Sequence, residues 1–151
     1  MSEDQQGSFG GENTTRALRS AISLATGRAK AAANALKLVR SALSEDSPIA
    51  APIGEAISAI EDSIAILRSG HLGEKELEGL SKAALRAETA LESMQFIAML
   101  PGPLGKVGRL LVLLRSPLHS WARYISRDPK HPTVPSPLEL AVKSEGSPTP
   151  L

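Results

Sequence analysis

The apolar residues between positions 14 and 44 recur at alternating steps of four and three, and this spacing constrains the fold more than any other feature. Steps that average 3.5 residues place all these side chains on one face of an α-helix. Thr14 and Thr15 are suitable N-cap residues, and Pro48 follows the end of the pattern. The stripe consists of Leu18, Ile22, Ala25, Ala29, Ala32, Leu36, Val39 and Leu43. It predicts one long amphipathic helix.

Three further stretches carry stripes of the same kind. The second stretch runs from about Pro52 to Ser69 and is followed by Gly70. The third stretch begins near Gly73 and ends before Pro101. The stripes consist of Ile53, Ile57, Ile60, Ile64 and Leu67; of Leu80, Ala84, Ala87, Leu91, Met94 and Ala98; and of Val107, Leu111, Leu114, Leu118, Trp121 and Ile125. Four stripes joined by short loops predict an all-α fold, an antiparallel helical bundle of four to five helices.

The number of helices depends on Pro117, which lies inside the fourth stripe. Proline in a helix interior costs about 3 kcal/mol, whereas proline at the first helical position costs little. We therefore predict that Ser116 is a cap and that Pro117 begins a short fifth helix. A single kinked helix is the alternative, and the sequence leaves it open.

Both ends of the chain are predicted to be disordered, which gives an arm at residues 1–13, a bundle at 14–127 and a tail at 128–151. The arm is acidic and rich in glycine, and the tail holds six prolines, which remove backbone donors. Ser/Thr-Pro pairs in the tail suit proline-directed kinases. Its last residues, 149–151, also have the form of a C-terminal peptide ligand, so the tail could recruit a protein partner.

Catalytic and metal-binding patterns are missing from the sequence. Without cysteine, the chain has no disulfide scaffold, thiolate metal site or cysteine nucleophile. His71, His119 and His131 lack metal-ligand spacing, and residues 102–106 lack both the spacing of a phosphate-binding loop and a preceding strand. We therefore predict a non-enzymatic protein without a cofactor or a bound metal.

Targeting signals are also missing from the sequence. The first residues have no basic segment followed by an apolar one, as a secretory signal would. The longest apolar run, residues 110–114, is far shorter than the roughly 20 residues of a spanning helix. We expect a location in the cytoplasm or nucleus rather than secretion.

Charge is distributed in blocks, although the whole chain carries only +1. Residues 16–44 hold six Lys and Arg and no acid, residues 45–92 hold ten acids against four bases, and residues 93–130 hold six bases against one acid. Cations beside hydroxyl and amide side chains suit phosphate contacts. The leading prediction is therefore binding of a nucleic-acid backbone by the first and fourth helices. The predicted residues are Arg16, Arg19, Arg28, Lys30, Lys37, Arg40, Lys106, Arg109 and Arg123.

Duplex RNA is the favoured ligand, because aromatic residues make up only 3% of the chain and single-strand binding relies on aromatic stacking. The layout is similar in architecture to viral silencing suppressors that lay antiparallel helices along double-stranded RNA. No motif in the chain carries that likeness, and it implies only a small accessory protein of the viral kind.

Two alternatives stay open. In the first, the charge blocks pair with one another and a leucine-rich face recruits a protein partner. Homo-oligomerisation is expected both here and for the nucleic-acid-binding protein, because the first stripe is longer than the other helices can cover. The expected interface residues are Leu18, Ile22, Leu36, Val39, Leu111, Leu114 and Trp121.

The second alternative is peripheral membrane association through residues 94–125, which combine leucines, basic residues and the aromatic residues Trp121 and Tyr124. Against it stands a simpler interpretation, in which the apolar residues of this stretch complete the bundle core. Those residues are Leu110, Leu111, Leu114 and Trp121. The simpler interpretation is favoured, because a chain this short needs such side chains for its core.

Overall fold

The computed structural model describes the backbone of residues 9–146 and the side chains of residues 16–144. Over this range it consists of five α-helices and one short 3₁₀ helix, with no β-strand. The helices are α1 (Phe9–Ser41), α2 (Ala50–Arg68), α3 (Glu74–Glu92), the 3₁₀ helix (Gln95–Met99), α4 (Pro103–Ile125) and α5 (Pro137–Gly146). The prediction of an all-α bundle is confirmed. None of the described helices is both long and apolar enough to cross a membrane.

The first four α-helices form a closed bundle. Helix α1 packs against α2 and α4, α2 packs against α3, and α3 packs against α4. Lys37 lies beside Glu61, whereas Arg40, further along α1, lies over Gly54, which comes earlier in α2. Residue numbers therefore rise in one helix as they fall in the other, so α1 and α2 are antiparallel.

The core combines small residues on α1 with branched residues on α2. Ala25 and Ala29 are fully buried, and so are Ile53 and Ile60. Alanines on one helix let the neighbouring helices approach closely, and the isoleucines fill the space between them. Trp121 of α4 is the largest fully buried side chain. The predicted stripes thus form one contiguous core.

Helix α4 continues through Pro117, so the predicted short fifth helix beginning there is wrong and the alternative of one helix holds. Proline cannot donate to the carbonyl one turn earlier, that of Leu113. Both Pro117 and Leu113 are exposed, so water can satisfy that carbonyl. The position on the exposed side of the helix explains why proline is tolerated.

The prediction of a disordered tail is wrong for α5, which packs against α1 and α4. Leu138 is fully buried, and the Glu139 backbone N–H donates to the Ser136 Oγ at 3.1 Å. Residues 136–139 read Ser-Pro-Leu-Glu, which matches a helix-capping pattern with proline at the first position. This local signal outweighs the proline density around it. Residues 147–151, with the predicted C-terminal ligand, lie outside the described residues.

Helix α1 is much longer than its neighbours. Its 33 residues span about 50 Å, whereas α2 and α3 have 19 residues each. It begins at Phe9, so the predicted arm is in part helical, and residues 1–8 lie outside the described residues. The sequence predicts that a second copy of the chain covers the part of the α1 stripe beyond the reach of the other helices. Because α5 packs on α1, the chain itself covers part of that surface.

Candidate functional site

Among the nine predicted nucleic-acid-binding residues, Lys37, Arg123 and Arg28 contact neighbouring helices of the bundle. The Nζ atom of Lys37 lies 2.7 Å from a carboxylate oxygen of Glu61, across the α1–α2 seam. Arg123 donates to Glu88 at 2.7 Å, and the Arg123 side chain is only 18% exposed. Arg28 reaches from α1 to α4, where its guanidinium carbon lies 5.6 Å from the ring centroid of Tyr124. These three side chains bind neighbouring helices.

The other cations of α1 share one exposed face with Lys37. Arg16, Arg19 and Lys30 are exposed and lie on that face by helical spacing. Lys30 and Lys37 also line a groove of about 440 Å³ between α1 and α2, together with Arg68 of α2. Arg68 is a cation that the charge pattern does not reveal, because it belongs to the block with net negative charge.

The basic faces of α1 and α4 do not combine into one surface. The Lys30–Lys37 groove opens toward α2, whereas α4 packs on the side of α1 that carries Arg28. Arg40 lies over Gly54 on the α1–α2 seam, and Lys106 and Arg109 are exposed on the first half of α4. The predicted duplex-binding surface across both helices is therefore not formed by these nine residues together.

Most residues of the predicted oligomer interface belong to the core of a single chain. The buried ones are Leu36, Val39, Leu111 and Trp121. The partly buried ones, packed against that core, are Leu18, Ile22 and Leu114. The four buried side chains are each at most 8% exposed, too little to form the main contact with a second copy, so their assignment to an interface is corrected. Homo-oligomerisation through other residues stays a prediction.

Several charged side chains of the acidic helices α2 and α3 are paired across the seams between helices. Arg86 of α3 donates to Glu55 and to Asp62 of α2, at 2.8 Å each, and these carboxylates raise the pKa of its guanidinium. Glu88 of α3 accepts from Arg123 of α4. Pairs of this kind help to set which helices lie side by side, as the alternative interpretation of the charge blocks expects.

Exposed apolar side chains gather in one part of the molecule, the 3₁₀ helix and the first half of α4, which we call the apolar hairpin (residues 95–114). Phe96 and Met99 are three residues apart, so they share one side of a 3₁₀ helix, and they are 62% and 87% exposed. Leu110 and Leu113 of α4 are 50% and 71% exposed. The interpretation that Leu110 completes the core is thus wrong.

Two glycines of α4 explain why the hairpin points its side chains outward. A Cβ atom at Gly105 would overlap the carbonyl oxygen of Leu100, and one at Gly108 would overlap the backbone of Ala98. The 3₁₀ helix therefore packs backbone to backbone on α4, with no room for a large side chain between them. Ile97 is buried, but Phe96 and Met99 remain on the outer side.

Positive charge accompanies the exposed apolar residues. Lys106, Arg109, Leu110 and Leu113 follow the spacing i, i+3, i+4 and i+7, so they lie on one exposed face of α4. Neither Lys106 nor Arg109 forms an ion pair with a described side chain, and residues 93–127 contain no Asp or Glu. We call these exposed residues the docking face: Phe96, Met99, Lys106, Arg109, Leu110 and Leu113.

The docking face lies within the stretch that the sequence predicts for membrane association, where buried and exposed leucines are neighbours in sequence. Leu111 is 2% exposed and Leu113 is 71% exposed, although both belong to one continuous run of apolar residues. The signal that separates them is the register: Leu110 and Leu113 each come one residue before a stripe position, Leu111 and Leu114 respectively.

Comparison with known proteins offers no relative from which a function could be inferred. No protein-family model, curated protein or solved structure matches this chain.

Proposed function

We propose that the protein binds the surface of anionic membranes through the docking face, without crossing the bilayer. The observation that supports the proposal is the combination of four exposed apolar side chains with two exposed cations and no carboxylate over residues 93–127. Soluble proteins rarely keep such a patch exposed without a partner. A lipid interface suits it, because apolar side chains enter the acyl boundary while cations meet anionic headgroups.

The energetics of the docking face favour reversible binding. Each Lys or Arg near an anionic leaflet contributes about 1 kcal/mol, and a fully buried large apolar side chain contributes about 1.5–3 kcal/mol. The most exposed residue, Met99, lies beside the turn of residues 100–102, where the hairpin can enter the interface with little rearrangement. Binding should depend both on these apolar side chains and on the negative charge of the lipid.

Vesicle co-sedimentation tests the proposal. The chain is expected to sediment with vesicles that contain phosphatidylserine and to stay in solution with pure phosphatidylcholine. The double variant Phe96→Ser/Met99→Ser is expected to lose most of the binding. Leu85→Ser is the matched control, because Leu85 is 59% exposed but lies on α3, outside the docking face.

A separate pair of variants tests the charges of the docking face. Lys106→Gln/Arg109→Gln should weaken binding and flatten its dependence on salt, since electrostatic attraction to the membrane is screened by ions. Equal binding by all variants, or no binding to either kind of vesicle by the folded protein, would contradict the proposal.

A second candidate function is binding of a nucleic-acid backbone, duplex RNA above all, by the basic face of α1. It is favoured by the groove between α1 and α2, where Arg68 joins Lys30 and Lys37. Lys30 forms no ion pair with any described side chain. Cations lined up along a helix and its neighbour suit contacts with successive phosphates.

Fluorescence anisotropy with duplex RNA, duplex DNA and single-stranded RNA, each at low and physiological salt, tests this candidate. Lys30→Gln/Arg68→Gln should weaken duplex binding, whereas Lys106→Gln/Arg109→Gln should leave it unchanged. The two pairs serve as controls for each other, because the membrane proposal expects the opposite ranking. A lack of binding at low salt would eliminate the candidate.

A further inference from the structure

A second groove, lined almost entirely by apolar side chains, opens between α1 and α4. Its volume is about 340 Å³, within the range of small-molecule sites. Three buried leucines, Leu36 of α1, Leu91 of α3 and Leu118 of α4, lie in its lining and belong to the bundle core. The remaining lining residues are Arg28, Ala31, Ala32, Leu114, Pro117 and Ser120. A ligand chain lying there would therefore extend the core itself.

The two ends of the groove differ in polarity. Arg28 and Ser120 lie together at one end, with 3.4 Å between Nη1 of the arginine and Oγ of the serine. Leu36 lies eight residues beyond Arg28 on α1, a rise of about 12 Å, and Leu114 lies six residues before Ser120 on α4. The groove thus has one end with a cation and a hydroxyl and a long apolar remainder.

We propose that this groove binds the anion of a fatty acid, with the alkyl chain along the leucines and the carboxylate beside Arg28 and Ser120. The apolar length matches an alkyl chain, and the single cation at one end matches a single negative head group. The site shares no residue with the docking face or with the basic groove, so it stands apart from both proposed functions.

An alkyl chain suits the groove better than a helix of a partner or a second copy of this chain. A helix with its side chains is about 10 Å wide, and it could enter only if α1 and α4 moved apart. These two helices pack against each other on either side of the groove, and Arg28 of α1 reaches Tyr124 of α4. An alkyl chain needs no such separation.

Calorimetric titration with sodium octanoate and sodium decanoate, both kept below the concentrations at which they form micelles, tests the proposal. Decanoate should bind with one molecule per chain. Each added methylene should tighten binding about fourfold, since an apolar groove gains a similar amount from each buried CH₂. Decanol, which has the same chain length and no charge, should bind about fivefold more weakly than decanoate.

Variants separate the head-group end of the groove from the apolar part. Arg28→Gln should bring the affinity for decanoate down to that for decanol and leave the affinity for decanol unchanged. Ala32→Leu should fill the groove and abolish binding of both decanoate and decanol. Ala31→Leu repeats this test at a lining position that is exposed and therefore tolerates a larger side chain. Arg19→Gln is the matched control, because Arg19 is exposed on α1 and lies outside the groove.

Several outcomes would overturn the proposal. The first is that the folded parent protein binds neither decanoate nor decanol. The second is that the groove-filling variants, shown by circular dichroism to be folded, bind as tightly as the parent does. The third is that the parent binds decanoate and decanol with equal affinity. Concentration-dependent dimerisation that Ala31→Leu disrupts would also overturn it, since it would identify a second copy as the occupant.

Discussion

The α2–α3 seam and the apolar hairpin are both built from amphipathic helical segments, yet they present opposite surfaces. On α2 and α3, charged side chains dominate the outer positions, and Arg86 joins Glu55 and Asp62 across the seam. In the hairpin the outer positions carry Phe96, Met99, Leu110 and Leu113. The first surface is complete within one chain, whereas the second leaves apolar area in water.

The difference shows which features the fold requires and which it does not. Both regions pack an apolar stripe against the core, so neither needs additional apolar residues on its outer side to pack. The apolar residues on the outer side of the hairpin therefore contribute little to folding, and we assign them to binding. If this is correct, substitutions on the two faces of α4 should differ sharply in their effect on stability.

The largest expected contrast is between two leucines on α4. Leu111→Ala should lower the free energy of unfolding by about 3 kcal/mol, because it removes a buried side chain and leaves a cavity. Leu113→Ala should change it by less than about 0.5 kcal/mol, since Leu113 is exposed. Urea unfolding of both variants measures the difference. Equal losses would show that the outer face does belong to the packing.

The contact between the 3₁₀ helix and α4 is expected to be the next most sensitive. Gly108→Ala should cost about 2 kcal/mol, because the added Cβ would overlap the backbone of Ala98 and force the hairpin apart. Gly27→Ala is the control. Gly27 lies within α1 with open space around it, so the same change there should stabilise the protein by about 0.5–1 kcal/mol. Thermal unfolding of the two variants distinguishes these effects.

Among the ion pairs of α2 and α3, the loss of stability on removing a carboxylate should be larger where the arginine partner is more buried. Glu88→Gln should cost about 1–2 kcal/mol, because it weakens the ion pair between Glu88 and the half-buried Arg123. Glu55→Gln should cost about 0.5 kcal/mol or less, since Arg86, whose side chain is 39% exposed, keeps its bond to Asp62. Chemical unfolding at low and high salt checks the order. A larger loss for Glu55→Gln would contradict it.

The smallest expected effect is a pH dependence of the packing of α5, which carries Glu139. The apolar hairpin should show no such dependence. Hydrogen bonds from Arg127 and then Lys143 lower the pKa of Glu139 from 4.5 to about 2. Because this pKa is depressed in the folded state, its contribution is complete above pH 4.5 and is lost as the pH falls toward 2. Docking of α5 should weaken over that window, by roughly 1 kcal/mol at most.

Two-dimensional NMR of the Leu138 methyl groups, followed from pH 5 to pH 2, measures that docking. Glu139→Gln should remove the dependence on pH, and the methyl groups of Leu113, in a stretch without carboxylates, should keep their shifts. An unchanged titration in Glu139→Gln would assign the effect to another group.

Sequence patterns predicted the four main helices well and the surfaces poorly. The stripes of α1 to α4 identify the core because helical periodicity is a local property. Helix α5 escaped prediction, although residues 136–139 carry a capping pattern, because prolines surround it. The predicted cations were correctly placed on α1 and α4, but which of them meet Glu61 or Glu88 depends on the packing of helices far apart in sequence.

The sequence by itself determined the all-α class, the stripes and the distribution of charge, because each depends on residues within a few turns of one another. Only the tertiary structure decided whether another element would cover the leucines outside the stripe, Leu110 and Leu113. That choice depends on where α1 and α3 approach α4 and on how closely the 3₁₀ helix packs over Gly105 and Gly108. It left Leu110 and Leu113 in water and Leu111 in the core, because a helix can turn only one side toward its neighbours.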